Sequence, residues 1–164
     1  MPLRATIVLI AGLLAYSQNI RAQKPEFDTT ETISVNNASL NAISTRAVRH
    51  FIKHYPDVQN EKWFITSKGF VASFTSNSEI YRIYYNQKGI FRLSVIIYDG
   101  KNYPQTLERL VSIGYPGAEI KNIVELFNGS ERLYGITISN QQLYRLIEYS
   151  DSDTEVVDEY NRQM

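Results

Sequence analysis

The chain of 164 residues contains no cysteine. That excludes disulfide staples, thiolate metal sites and a cysteine-linked lipid. Histidine is nearly as scarce, with 2 residues. Charge of one sign is missing too, because 17 Lys and Arg balance 17 Asp and Glu. There is no basic excess for a nucleic-acid backbone and no acidic excess for a solvating tail. No apolar run reaches the roughly 20 residues of a bilayer span. The sequence has no phosphate-cradling glycine loop, no G-x-S-x-G elbow and no H-E-x-x-H pair. The usual signatures of nucleotide, serine-hydrolase and zinc-protease chemistry are therefore lacking.

Apolar and aromatic residues are plentiful. Hydrophobic residues make up 43%, and the 12 tyrosines exceed the 7 phenylalanines and single tryptophan. Without staples, stability must come from a hydrophobic core, which a mature domain of this length can supply. So many amphipathic rings suit strands packed on one face and partly wet on the other.

The first residues, MPLRATIVLIAGLLAYSQNIRAQ, place Arg4 before an apolar run from Ala5 to Ala15, then a polar stretch ending at Ala22. This is the pattern of a secretory signal peptide over 1–22. Residues 23–40, rich in Thr, Asn, Ser and acids, read as a flexible leader. The expected location is periplasmic or secreted, and the mature chain is mildly acidic.

From Asn41 to Tyr55, Ile43, Ala47, Phe51 and Tyr55 recur four apart, with Val48 and Ile52 widening the stripe. That spacing predicts a helix, capped by Asn41 or Ser44 and stopped by Pro56. Alternation predicts four strands next, at Glu61–Thr66, Gly69–Thr75, Glu79–Tyr85 and Ile90–Tyr98. Short polar turns between them predict antiparallel hairpins. A second helix follows from about Pro104, with Gly114 expected as its left-handed cap and Pro116 blocking continuation. Further strands are expected at Glu119–Phe127, Arg132–Ser139, Gln142–Tyr149 and Thr154–Tyr160.

The two halves match in order. Tyr115-Pro116 repeats Tyr55-Pro56, and EIYRIYY resembles QLYRLIEY, with Arg82 against Arg145. The expected fold is α+β: two tandem duplicated helix-plus-four-antiparallel-strand units, 41–98 and 99–160, forming one shared sheet with helices on one face.

These residues carry a resemblance. A helix ending in Tyr55-Pro56-Asp57, then Glu61-Lys62-Trp63, a strand over Phe70–Phe74 and a turn at Tyr85-Asn86-Gln87-Lys88-Gly89 resembles the PepSY-like family of secreted bacterial proteins, also described as beta-lactamase-inhibitor-like. Tyr115-Pro116 and Tyr134–Ile138 extend it, so it covers about residues 40–160. The resemblance implies a non-enzymatic fold whose open sheet face grips a partner protein. The chain departs from the family at Asn86, where Asp is common, and at Ile123 and Val124, where the second copy lacks Trp.

Other candidates are weaker. His50 and His54 stand four apart on a helix, as zinc ligands can, but with no third ligand they read as a solvated polar face. Asp151, Asp153 and Glu155 alternate like a calcium loop, but Val156 stands where the loop needs Gly. Asn37-Ala38-Ser39 and Asn128-Gly129-Ser130 match the glycosylation triplet. The expectation is a secreted, non-catalytic binding module without cofactor or metal. Its partner would be a periplasmic or extracellular protein, not nucleic acid, held through Tyr81, Tyr84 and Tyr98. A periplasmic small-ligand or metal-binding protein is the alternative.

Overall fold

The computed structural model describes residues 40–98, 102–150 and 153–161. The expected signal peptide, nearly all of the leader, Asn37 and Asp151 lie outside these. A short 3₁₀ turn, Leu40–Ala42, precedes helix α1, Thr45–His54. Strands β1 (Lys62–Thr66), β2 (Gly69–Ser76), β3 (Glu79–Asn86) and β4 (Phe91–Tyr98) follow. Helix α2, Gln105–Gly114, leads into β5 (Glu119–Phe127), β6 (Arg132–Ser139), β7 (Leu143–Ser150) and β8 (Asp153–Asn161). The fold is α+β, with one antiparallel sheet of 8 strands in the order β1 to β8. The chain divides into two compact units, the second beginning at Ile97.

In the first unit, the alternation read from the sequence sets the register. Trp63 stands across from Ala72, and Ala72 across from Ile83. These three side chains are fully enclosed, and Ala47 and Phe51 of α1 join them in one apolar cluster. Phe51 meets both Trp63 and Phe74 edge to face, with ring centroids 5.5 and 5.7 Å apart. Such pairs add to the large area each ring removes from water. The Trp63 indole N–H has no hydrogen-bond partner among the described residues.

Two glycines are required by the turns. Gly69 has φ +140, and a Cβ there would lie 2.1 Å from the Tyr85 carbonyl oxygen. Gly89 has φ +70 and closes the β3–β4 turn, where its N–H donates to the Asn86 carbonyl at 2.8 Å. The Asn86 side-chain oxygen accepts from the N–H groups of Lys88 and Ile90, at 3.0 and 2.9 Å. A carboxylate could accept the same bonds, so Asn86 keeps this turn where the resemblance leads one to expect Asp.

The helix ends follow one plan. The Tyr55 N–H returns to Phe51 O and the Tyr115 N–H to Val111 O, both at 2.8 Å. The caps have nearly equal dihedrals, φ −133 and ψ 58 against φ −138 and ψ 68. Pro56 and Pro116 then forbid a further turn. Gly114 is the last residue of α2 rather than its left-handed cap. Gly117 takes that conformation instead, with φ +79. It follows Pro116 in a turn closed by Ala118 N–H to Tyr115 O at 3.0 Å. Proline then glycine is the pair that such a turn favours. At α1, Ser44 occupies the cap position but makes no side-chain cap bond.

In the second unit, Ile123, Ile136 and Ile147 are paired in one cross-strand row, and all three are fully enclosed. Leu107 and Val111 are the buried residues of α2. The register corrects one alignment. Arg82 pairs with Ser73 and stands on the face away from Ile83. Arg145 pairs with Ile138 and shares its face with Ile147. Its guanidinium lies 5.9 Å from the centroid of the Tyr115 ring. Matching arginine to arginine had therefore paired opposite strand faces, because a shift of one residue inverts a strand.

Candidate binding face

The four strands of the first unit have two dissimilar faces. On the face away from Trp63, the register places Phe64 across from Val71, and Val71 across from Tyr84. All three are half-buried. The Asn86 N–H to Ile90 O bond, 2.9 Å, fixes the next hairpin and puts Arg92 beside Tyr84. One step along the strands, Lys62, Ser73 and Arg82 form a parallel row. Lys62, Arg82 and Arg92 are exposed. Strand alternation assigns to this face even-numbered positions of β1 and β3, odd-numbered positions of β2 and, beside Tyr84, Arg92 of β4, and none of them is acidic. The described acids of this unit lie elsewhere: Asp57 in the turn after α1, and Glu61 and Glu79 in phase with the core-side residues Trp63 and Ile83.

The three tyrosines singled out from the sequence do not come together. Tyr84 lies on this face. Tyr81 shares the phase of Ile83 and Tyr85, so it turns toward the core. It stacks on Phe74 at 4.7 Å, and its hydroxyl donates to Glu79 Oε2 at 2.5 Å. Tyr98 belongs to the second unit and is only 9% exposed. Its hydroxyl donates to Glu125 Oε2 at 2.6 Å. Phe64 and Val71 were missed as partners of Tyr84, and so were the cations. Their signal was the hairpin register, which a strand-by-strand reading does not combine.

Glu125 is buried at 3% exposure, and Arg132 Nη1 meets its other oxygen, Oε1, at 3.2 Å. The Arg132 guanidinium is held above its ordinary value, first by a side-chain hydrogen bond with Tyr134 and, against some desolvation, by the Glu125 charge. A buried carboxylate with both oxygens occupied fastens this part of the sheet.

The histidines follow the expected solvated face only in part: His54 is exposed, and His50 is not. His50 is half-buried and stacks on Phe91 at 5.2 Å and on His54 at 4.1 Å. Its Nδ1 lies 3.1 Å from the Tyr85 hydroxyl. The His54 Nδ1–H donates to the His50 carbonyl at 2.8 Å. Burial lowers the His50 pKa from 6.5, helped by His54 and Lys53. Burial likewise raises that of Tyr85, with Tyr55 as the second cause. Both shifts disfavour charge, as expected where polar rings sit among aromatic ones. Among the described residues no three His, Asp or Glu side chains gather where they could hold a metal. A cavity of about 180 Å³ lies at the end of α2, lined by Tyr115, Pro116, Ile138, Leu143 and Arg145 among others. It is small beside the several hundred Å³ of ordinary ligand pockets. No helix among the described residues is long and apolar enough to cross a membrane.

The architecture is that of known bacterial structures. The chain is similar to a DUF2874 family protein from Bacteroides uniformis, with TM-score 0.53 and 13% identity over 71% of this chain and 88% of the other. It is similar to a protein from Bacteroides eggerthii described as periplasmic, with TM-score 0.54 and 14% identity over 73% and 88%. It is also similar to a BLIP-like protein from Bacteroides fragilis, with TM-score 0.54 and 14% identity over 73% and 86%. At such identity the likeness is one of fold. No protein-family model matches the sequence, and no curated protein matches it.

Proposed function

We propose that the protein is a non-catalytic binding module of the periplasm or cell exterior. It holds a partner protein on the open face of its first four strands. The carrying observation is the row Phe64–Val71–Tyr84, aromatic and aliphatic side chains set in register on the face away from the Trp63 core. Half-exposed aromatic anchors on a rigid pleated surface are what protein interfaces use. The BLIP-like and periplasmic neighbours support the class and the compartment. The pattern of the first 22 residues supports export. On this reading the two helix-plus-four-strand units are copies of one ancestral unit, supported by their matching Tyr-Pro helix ends.

The test is affinity capture from a periplasmic extract of the source cells, comparing wild type with Tyr84→Ala and Phe64→Ala. Both variants should keep the fold and lose a protein that the wild type retains. Identical capture by all three, or none by any, sinks the reading.

A further inference from the structure

The open face of the first unit has a charge pattern as well as a shape. Lys62 and Arg82 are two strands apart in one cross-strand row, so their Cα atoms are separated by roughly 10 Å. Arg92 ends the neighbouring row beside Tyr84. All three are exposed, and among the described residues no carboxylate shares the face. The chain as a whole is neutral, with 17 basic and 17 acidic residues, so this is a local segregation of charge. A one-sign patch around an apolar row creates a positive potential that attracts a complementary partner and repels a basic one.

We infer that this face selects an acidic, extended polypeptide segment of its partner protein, with carboxylates meeting Lys62, Arg82 and Arg92 and apolar side chains lying on Phe64, Val71 and Tyr84. The inference rests on the binding face proposed above and adds the chemistry of its occupant. Alternation supplies the match. Along an extended strand, side chains on one side recur every ~6.8 Å, close to the spacing of the basic and apolar rows here. Arg adds bidentate geometry toward carboxylates. A nucleic-acid backbone fits less well. It is commonly neutralised by about 6–10 cations, and it offers nothing to the apolar row.

The experiment uses the purified full chain and two fluorescein-labelled peptides of equal length. In both, every second residue is by turns tyrosine and a charged residue, glutamate in one and lysine in the other, with serine between, so that apolar and charged side chains share one side of the extended peptide. Anisotropy should show the glutamate peptide bound about tenfold or more tighter than the lysine peptide, and progressively weaker as salt is raised. The combined variant Lys62→Glu, Arg82→Glu, Arg92→Glu should abolish that preference, and each single reversal should weaken it in part. Arg109→Glu, at an exposed position of α2, should change nothing. Equal binding of the two peptides overturns the inference. So does tighter binding of duplex DNA or of phosphatidylglycerol vesicles than of the glutamate peptide. If Tyr84→Ala removes binding while the charge reversals do not, acidic selection is overturned and the binding face stands. If neither the charge reversals nor Tyr84→Ala has an effect, both fall.

Discussion

Trp63 and Tyr84 occupy opposite faces of the same strands, and pairing enforces it. Trp63 stands across from Ala72, whereas Tyr84 stands across from Val71, the next residue along. One ring is 1% exposed and the other half-buried. If the first serves stability and the second the proposed recognition, substitutions at the two should separate the properties. Tyr84→Ala should lower partner affinity by roughly thirtyfold, as for an interface hot spot of about 2 kcal/mol. Its urea midpoint should move little. A large loss of stability with unchanged binding would reverse these assignments.

Trp63→Ala should destabilise by about 3–5 kcal/mol, since a large enclosed side chain leaves a cavity. Trp63→Phe should cost clearly less. It removes an indole N–H that has no partner among the described residues, so part of the lost packing is offset by one fewer buried donor. Urea unfolding of the three proteins gives the comparison. Equal losses for Ala and Phe would mean that the N–H is satisfied.

The Tyr98 hydroxyl and Arg132 share the buried Glu125 carboxylate. Tyr98→Phe should cost about 1.5–3 kcal/mol, the range for a hydrogen bond to a charged group. Adding Glu125→Gln should reduce that cost, because a neutral amide demands less of its donor. A double-mutant cycle by chemical denaturation measures the coupling. Strict additivity would show that the two residues act separately.

Burial depresses the His50 pKa below 6.5, with His54 and Lys53 adding repulsion. The unfolded chain therefore takes up this proton at higher pH than the folded one. Stability from this group is full above about pH 6.5 and is lost as pH falls through that value toward the folded one. The melting temperature should drop between pH 7.5 and 5, and His50→Gln should flatten part of that slope. An unchanged slope in the variant would place the titration on other groups.

Gly69→Ala should be severe. The residue has φ +140, and the added carbon would lie 2.1 Å from a backbone carbonyl in the adjoining strand. Relief requires moving β3, so the loss should exceed the ~1 kcal/mol of an ordinary glycine replacement. Gly114→Ala is the control, since a Cβ there meets nothing within 4 Å. Thermal melts of both variants decide this.

Much of the architecture was legible because it rests on local chemistry. Period-two alternation gave the strand spans within a residue or two, and Tyr55-Pro56 and Tyr115-Pro116 gave the helix ends. What escaped depends on register. Whether Arg145 shares the phase of Arg82 turns on a one-residue shift that similar strings conceal. Tyr81 looked like Tyr84 in composition, and only pairing with Phe74 assigns it to the core side. His50 looked solvated because its cover, Phe91 and Tyr85, comes from strands far along the chain. The candidate row was hidden for the same reason, since Phe64, Val71 and Tyr84 meet only after three strands are aligned.

The strand order β1 to β8 also bears on how the molecule is made. Every strand pairs only with strands adjacent in sequence, so no pairing waits for a distant segment to be synthesised. Short hairpin closures carry little entropic cost, and low sequence separation speeds folding. A chain delivered end-first through a membrane pore could add one hairpin at a time as it emerged, with no oxidation step because it has no cysteine. Refolding from denaturant should accordingly be fast for so large a sheet and indifferent to redox conditions, which stopped-flow fluorescence of Trp63 can follow directly.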